Sequence, residues 1–432
     1  MDRKPPYTTD EACARALDAE DALAPFRERF HTDPERIYML GNSLGLMPSE
    51  AGTAVRQILA EWQTLGIGGW LNGDPPWFYL AERAGGLAAP LVGAAPEEVI
   101  CTGTTTYNVH SLISTLYRPA LGRPKIVAST LDFPSDIYAL KSQMRLQGVD
   151  WRDHLVMVGG DKNGLVDEND IIDAMTDDVA LVLLSSVMYR SAQLLDIERL
   201  TAAAHERGII IGFDCSHSAG AVPHHFDSWG VDFALWCGYK YLNGGPGAPA
   251  FLYLNRSYFE CEPGLAGWFG SVKERQFDLN LEFEHARSAG GWQVSSPGIL
   301  AAAAVAGSLE VTREAGIEAI REKSLAMTSY LIFLIDELLA GEPYHFDILT
   351  PRESRRRGGH VAVTRPAEAL RIKEALGARG IIVDFRPPNV IRIAPSPLYS
   401  TYRELWMVVH HIRGIIDERA FDDVPEKRKD IS

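Results

Sequence analysis

The stretch that decides the fold runs from residue 210 to 247. It reads IIGFDCSHSAG at 210–220 and, after a short interval, DFALWCGYKYLNGGPG at 232–247. Each string opens on an apolar run that does not alternate with polar residues. That pattern belongs to a strand buried on both faces, which is the condition of strands in a parallel sheet covered by helices. Each run then breaks into polar and glycine-rich residues, as a strand end facing a ligand does.

Further runs of the same kind lie on either side. Short β-rich segments occur at 99–102, 125–129, 155–158, 179–184, 208–213, 232–237 and 250–254. Helical spacing fills 107–117, 134–147 and 196–207 between them. Strands alternating with helices predict a mostly parallel α/β sheet with right-handed crossovers. Outside this block, helices are expected at 9–24, 49–65 and 78–92, with a turn or loop over GIGGW and NGDPP near 66–76. Long helices are expected over 297–340. Strands at 345–349, 359–364, 381–385 and 390–394, with helices at 367–378 and 401–417, predict a smaller C-terminal α+β domain. The expected division is an N-terminal segment over 1–48 packing on the small domain, a large domain over 49–300 and a small domain over 301–432. The basic cluster Arg352, Arg355, Arg356 and Arg357 reads as a solvated loop.

Composition narrows the class. The chain has 432 residues, 46% of them hydrophobic and 23% charged, which is ordinary for a globular protein able to bury a large core. Its net charge of -15 would repel a phosphate backbone, so nucleic acid is not an expected partner. The 5 cysteines show no CxxC spacing, which argues against a disulfide framework or a zinc site. The first twenty residues carry several acids and no apolar core, unlike a secretory signal. No window reaches about 18 uninterrupted apolar residues, so no membrane helix is expected. The expected compartment is the cytoplasm.

Chemistry concentrates where the decisive stretch breaks. An electron-sink cofactor such as pyridoxal 5'-phosphate needs a lysine amine, a carboxylate at its pyridine nitrogen and an anion cradle for its phosphate. Asp214 ends one strand, with His217 three residues on. Lys240 follows a later strand, framed by Tyr239 and Tyr241 and followed by Gly244, Gly245 and Gly247. Each residue alone has an ordinary reading: Asp214 as a helix cap, Lys240 as a solvated side chain. Together they fit the cofactor. For the phosphate, TGTTTYNVH at 102–110 follows a strand and opens a helix, so its amides and hydroxyls face an anion. This string is neither GxGxxG nor a Walker A sequence, so dinucleotide and nucleotide readings lose support.

The strings YMLGNSLGLMP (38–48), FPSDIYALKSQ (133–143), GFDCSHSAGAV (212–222), SWGVDFALWCGYKYLNGGPGAP (228–249), GWFG (267–270) and VIRIAPSPLY (390–399) together resemble the kynureninase family. The resemblance runs from about residue 38 to about 400. It implies a pyridoxal-phosphate enzyme of fold type I that hydrolyses kynurenine or 3-hydroxykynurenine to an anthranilate and alanine. By position, Lys240 resembles the Schiff-base lysine, Asp214 the pyridinium partner and His217 the residue beside the ring. Phe133 resembles the aromatic stacked on the cofactor, and Asp136 a nearby polar contact. Thr105 and Thr106 occupy phosphate-binding positions, and Tyr239 that of a phosphate-bonding tyrosine which also assists proton transfer. Trp268 and Ser296 resemble residues that reach the cofactor from a neighbouring subunit, which implies a homodimer with shared sites. Arg392 resembles the clamp on the substrate α-carboxylate. Read alone, an arginine in an apolar strand fits an internal salt bridge equally well.

Two departures bear on substrate choice. Ser296 stands where the family often has Asn or Thr, and Ala192, in VMYRSAQ at 187–193, replaces a glycine. Both are expected near the substrate's aryl group. They leave open a related enzyme with the same cofactor, such as a β-lyase, aminotransferase or desulfurase. A non-catalytic protein of the same fold is disfavoured by the joint presence of Lys240, Asp214 and Arg392.

Overall fold

The computed structural model describes residues 7–119 and 122–425. The outermost ends of the expected N-terminal and C-terminal segments, 1–6 and 426–432, lie outside the described residues. Strand β1 (Ile37–Tyr38) precedes a run of seven: β2 (Val99–Cys101), β3 (Lys125–Ser129), β4 (Leu155–Val158), β5 (Val179–Ser185), β6 (Ile210–Asp214), β7 (Phe233–Cys237) and β8 (Ala250–Leu254). These seven form one sheet in the order β2-β8-β7-β6-β5-β3-β4. Only β8 runs antiparallel to its neighbours. The mostly parallel α/β sheet read from the apolar runs is therefore present, each strand within a residue or two of its expected place.

The reason those runs lack alternation is visible in the packing. Successive residues point to opposite faces, and both faces are covered. Ile126, Ala128, Leu181, Leu183, Phe233 and Leu235 pack under the helices Thr105–Leu116 and Pro134–Leu146. Val127, Val182, Leu184, Ile211, Phe213 and Trp236 face the opposite layer, which includes Ile197–His205 and Ile299–Ala315. Each such side chain, once buried, contributes roughly 1.5–3 kcal/mol. Gly212 is required by the close approach of β6 and β7: a Cβ there would sit 2.2 Å from the Phe233 ring.

The C-terminal part carries β9 (Asp347–Ile348), β10 (Val361–Thr364), β11 (Ile381–Ile382), β12 (Asp384–Arg386) and β13 (Val390–Ile393). Four of them form an antiparallel sheet in the order β12-β13-β10-β9, while β11 pairs in parallel with β1. A second core joins this sheet to the helices Ile317–Leu339 and Tyr402–Asp417 and takes in Ala14, Ile37 and Met39 of the N-terminal segment. The helix Ile299–Ala315, the start of the long connecting helix expected before the small domain, packs against Ser49–Leu65 and Leu80–Ala88 in the core of the large sheet. The two long helices part at Gly316, whose φ is +79°.

Three local readings change. The segment 66–72 forms helical turns, Gly66–Gly68 and Gly69–Asn72, rather than open loop. Arg357 is buried, not solvated: its guanidinium donates to the Arg352 and Leu325 carbonyls and to Thr328 and Ser329 hydroxyls. Ala192 has φ +62° and is fully buried in a tight turn, its carbonyl accepting from Gly358 N at 2.8 Å. Its methyl does not line the cavity at the sheet edge, so its departure from glycine is a matter of backbone conformation rather than aryl recognition. A left-handed non-glycine residue costs roughly 1–2 kcal/mol, partly offset by the greater flexibility of glycine in the unfolded chain. Ala192→Gly should therefore raise stability by up to about 1 kcal/mol, read as a rise in melting temperature with kinetics unchanged.

Candidate active site

The C-terminal ends of the parallel strands converge on a cavity of about 240 Å³. Thr105, Thr106, Phe133, Asp136, Asp214, His217, Tyr239, Lys240 and Arg392, all expected from the sequence, line it. A larger hollow, about 690 Å³, lies elsewhere, between the 161–168 and 194–199 segments and Arg355 and Arg356.

Lys240 stands in the turn after β7, which closes through Asn243 N to the Lys240 carbonyl at 3.0 Å and Gly244 N to the Gly238 carbonyl at 2.9 Å. The segment LGNSLGL lies against this turn, with Gly45 N donating to the Tyr239 carbonyl at 2.8 Å. A Cβ at Gly45 would fall 2.0 Å from Asn243 Oδ1 and 2.6 Å from the Lys240 carbonyl. Lys240 Nζ is 3.1 Å from His217 Nε2. Burial and the charges of Lys240 and Arg392 push His217 well below its ordinary pKa. It is thus neutral and accepts from Lys240; its proton is then on Nδ1, which is buried without a protein partner.

The same cavity gathers the carboxyls of Asp136 and Asp214, with Asp132 close by. Asp214 closes β6 and its Oδ1 accepts from Ser216 N at 2.7 Å. Burial and the nearby Asp214 and Asp132 charges hold Asp136 well above the usual carboxylate range. Asp132 accepts from Ser129 N and Ser185 N, both at 2.7 Å, and so ties the ends of β3 and β5 together. Burial pushes it up to about 6. Because its folded pKa exceeds the unfolded value near 3.9, the folded state binds the extra proton between about pH 4 and 6, and stability falls as pH rises through that window. Comparing cofactor-free wild type with Asp132→Asn by thermal unfolding, the wild type should lose on the order of 2–3 kcal/mol more stability across this range.

The phosphate-binding expectation has a matching frame. Thr104 caps the helix Thr105–Leu116, accepting from Tyr107 N at 3.4 Å. Gly103 before it has φ +58°. Asn108 Nδ2 donates to the Thr102 and Phe251 carbonyls at 3.0 and 3.2 Å and pins the helix to β2 and β8. Thr106 Oγ1 meets Ser135 Oγ at 2.6 Å, so the first turns of two helices face the same end of the cavity.

Arg392 arrives from the small sheet. It is 1% exposed, and its cross-strand partner in β12 is Asp384. The guanidinium pairs with Asp384 Oδ2, donates to the Tyr189 carbonyl at 2.6 Å and approaches Ser43 Oγ at 3.3 Å. Arg386 shares the same Asp384 oxygen at 2.9 Å. Arg392 Nε is buried without a protein partner. Burial lowers Arg392 to about 10, so it stays charged at neutral pH. The salt-bridge reading of Arg392 holds, and the residue also lines the cavity.

Trp268 and Ser296 are not brought into this cavity. Both are exposed, on neighbouring segments of one surface loop region. Those segments touch backbone to backbone: a Cβ at Gly267 would meet the Val294 carbonyl oxygen at 2.0 Å. Residues that line the cavity without having been singled out include Asn42, Ser43, Ser135, Tyr189 and Arg386. Asn42 and Ser43 stand in the LGNSLGL string and Tyr189 in VMYRSAQ, so the motifs marked the segments. Arg386 had no such signal.

The donor set suits pyridoxal phosphate: a lysine beside a neutral histidine with an unused buried Nδ1, a carboxylate at a strand end, and two helix starts with hydroxyls. Among solved structures, the cysteine desulfurase of Thermococcus onnurineus NA1 has the same fold, with a TM-score of 0.77 at 18% identity over 91% of this chain and 98% of that one. Sheet and site together define a pyridoxal-phosphate-dependent enzyme of fold type I. Sequence relationships narrow this further. The model of the kynureninase C-terminal domain matches residues 320–412. A kynureninase of Geobacillus thermodenitrificans (strain NG80-2) is 51% identical over 416 residues, 96% of each chain. One of Bacillus thuringiensis subsp. konkukian (strain 97-27) is 49% identical over 426 residues, 99% of each chain. The chain belongs to the kynureninase family.

Proposed function

We propose that the chain hydrolyses the Cβ–Cγ bond of L-kynurenine or its 3-hydroxy derivative, releasing an anthranilate and L-alanine, at the cavity of Lys240. The observation that carries this reading is the convergence of Lys240, Asp214 and Arg392 from three separate strand ends on one cavity. When bound, pyridoxal phosphate supplies a conjugated electron sink that lets bonds at the substrate's α and β carbons break. Asp214 would meet its ring nitrogen, Phe133, His217 and Asp136 would hold its ring, and Thr105, Thr106 and the helix-start amides would hold its phosphate. Arg392 holds the substrate α-carboxylate through a planar guanidinium already oriented by Asp384 and the Tyr189 carbonyl. Lys240 takes the proton from the α-carbon and later returns one to the alanyl fragment. Burial holds the Tyr239 hydroxyl protonated well beyond neutral pH, suiting it to donate to phosphate and to assist proton transfer.

In this reading two copies share their sites, each presenting Trp268 and Ser296 to the other's cofactor. Support comes from exposed apolar side chains around Trp268 (46% exposed): Phe277, whose ring centroid lies 5.7 Å away, and Leu281, which lines the same shallow hollow. The reading also places the enzyme in the cytoplasm; among the described residues no helix is long and apolar enough to cross a membrane. Incubating the purified protein with each of the two substrates tests the activity. Anthranilate or 3-hydroxyanthranilate appearing with equimolar alanine is the expected result. Amino-group transfer, or sulfide from cysteine with no anthranilate, would replace the assignment by another reaction on the same cofactor.

A further inference from the structure

The loop region that carries Trp268 is held by a buried lysine. Lys273 has a side chain 9% exposed, paired with Glu82 Oε1 at 2.6 Å and bonded to the Phe78 carbonyl. Its ammonium lies 4.8, 4.9 and 5.4 Å from the ring centroids of Phe78, Tyr79 and Phe269. Trp70 in turn lies 5.8 Å from Phe269. A desolvated cation enclosed by aromatic faces and a carboxylate is a strong local tie, since the aromatic contacts strengthen as water is excluded. Phe269 adjoins Trp268 in the chain. The Trp268 carbonyl also accepts from Gln276 Nε2 at 2.6 Å and Ser271 Oγ at 2.7 Å. Gln293 Nε2 reaches the same Glu82 oxygen at 2.7 Å and anchors the strand of chain leading to Ser296. Glu82 thus joins both segments to the helix Leu80–Ala88, while the Trp268 ring stays outside the tie, half exposed.

We propose that Lys273 is a positioning residue that acts in trans: it sets the geometry of Trp268 and Ser296 for the active site of the other copy, not for its own. This rests on the shared-site reading above. None of Lys273, Phe78, Tyr79 and Glu82 borders the cavity of Lys240 in the same chain. A cis role in the chemistry therefore has no contact to work through.

Hybrid dimers separate the possibilities. Lys273→Met keeps the aliphatic stem among the rings and removes the charge and its bonds. Alone, it should lose at least about tenfold in kcat/KM, as interactions of this size predict, while keeping the visible absorbance of cofactor bound at Lys240. Lys273→Arg should recover part of the loss. Co-expressed with Lys240→Ala under a second tag and purified through both tags, Lys273→Met should regain about half of the wild-type turnover, because one of the two symmetry-related sites then combines an intact Lys240 with an intact loop. A Trp268→Ala and Lys240→Ala hybrid is the control. If the control recovers and the Lys273→Met hybrid does not, Lys273 acts within its own chain and the proposal is overturned while site sharing stands. If neither recovers, the shared-site reading fails and the proposal with it. Full activity of Lys273→Met alone overturns the proposal directly. Should that variant not fold, Gln276→Leu, which removes one of the two donors to the Trp268 carbonyl without disturbing the buried charge, replaces it in the same hybrids. Recovery beside Lys240→Ala then supports action in trans, and no recovery beside a recovering control overturns it.

Discussion

Lys240→Ala is expected to lower turnover by at least about 10³-fold while the protein stays folded and still takes up cofactor. The size follows from what is removed. Proton transfer by a positioned base contributes typically 10²–10⁴-fold, and in the proposed mechanism one amine both takes and returns a proton. Its surroundings favour that work: it sits beside a neutral His217 at 3.1 Å, so its neighbour neither repels it nor competes as a base. The cavity frame does not depend on it, because Asp132 binds β3 to β5 and Asn108 pins the helix start independently. Cofactor affinity should accordingly fall much less than turnover, and the absorbance band of lysine-bound cofactor should vanish. A persistent band, or activity within tenfold of wild type, would show that another amine carries the chemistry. Arginine at this position should not rescue, since its pKa bars it from acting as a base.

The second large effect is expected at Arg392. Arg392→Leu should raise KM for the amino-acid substrate on the order of 10²-fold or more, with cofactor affinity nearly unchanged. Truncating one member of a buried, hydrogen-bonded charge pair costs about 2–5 kcal/mol in binding, and the lost guanidinium is the group proposed to meet the substrate carboxylate. Asp384 keeps Arg386 as a partner at 2.9 Å, so the small sheet is not left with an isolated buried charge. Arg392→Lys should behave almost as badly, because a point charge cannot replace a planar fork. Equal losses of substrate and cofactor binding would mean that Arg392 serves the architecture instead.

The large sheet was legible because its strands are buried on both faces, which leaves uninterrupted apolar runs such as VALVLL in the sequence. Asp214 and Lys240 were legible for the same reason: each follows such a run, and the ends of parallel strands are where ligands bind. Asp132 was not. Its two backbone donors, Ser129 and Ser185, are far apart in sequence, and no spacing marks a carboxyl that bridges strands. Arg386 stands two residues after Asp384 on β12, on the same face, but beside Pro387 and Pro388 it read as part of a turn. Lys273, in the charged stretch KERQFD, reads as a solvated side chain until the three rings are seen around it. The Ala192 departure was visible, but its meaning lay in a φ value that residue identity alone does not disclose. The helix Ile299–Ala315 is apolar nearly all round, so periodicity did not say which core would claim it.

The proposed substrate clamp is built on a hairpin. Asp384 faces Arg392, and Arg386 faces Val390, across only three paired positions of β12 and β13. Strand side chains alternate, so slipping this pairing by one residue would set Ile391 or Ile393 opposite Asp384 and turn the guanidinium away. The three residues that join the strands, 387–389, therefore count as a fixed length. Across descendants of this chain, the turn should accept changes of residue type far more readily than a single insertion or deletion. An indel there would yield a folded, cofactor-loaded protein blind to amino acids.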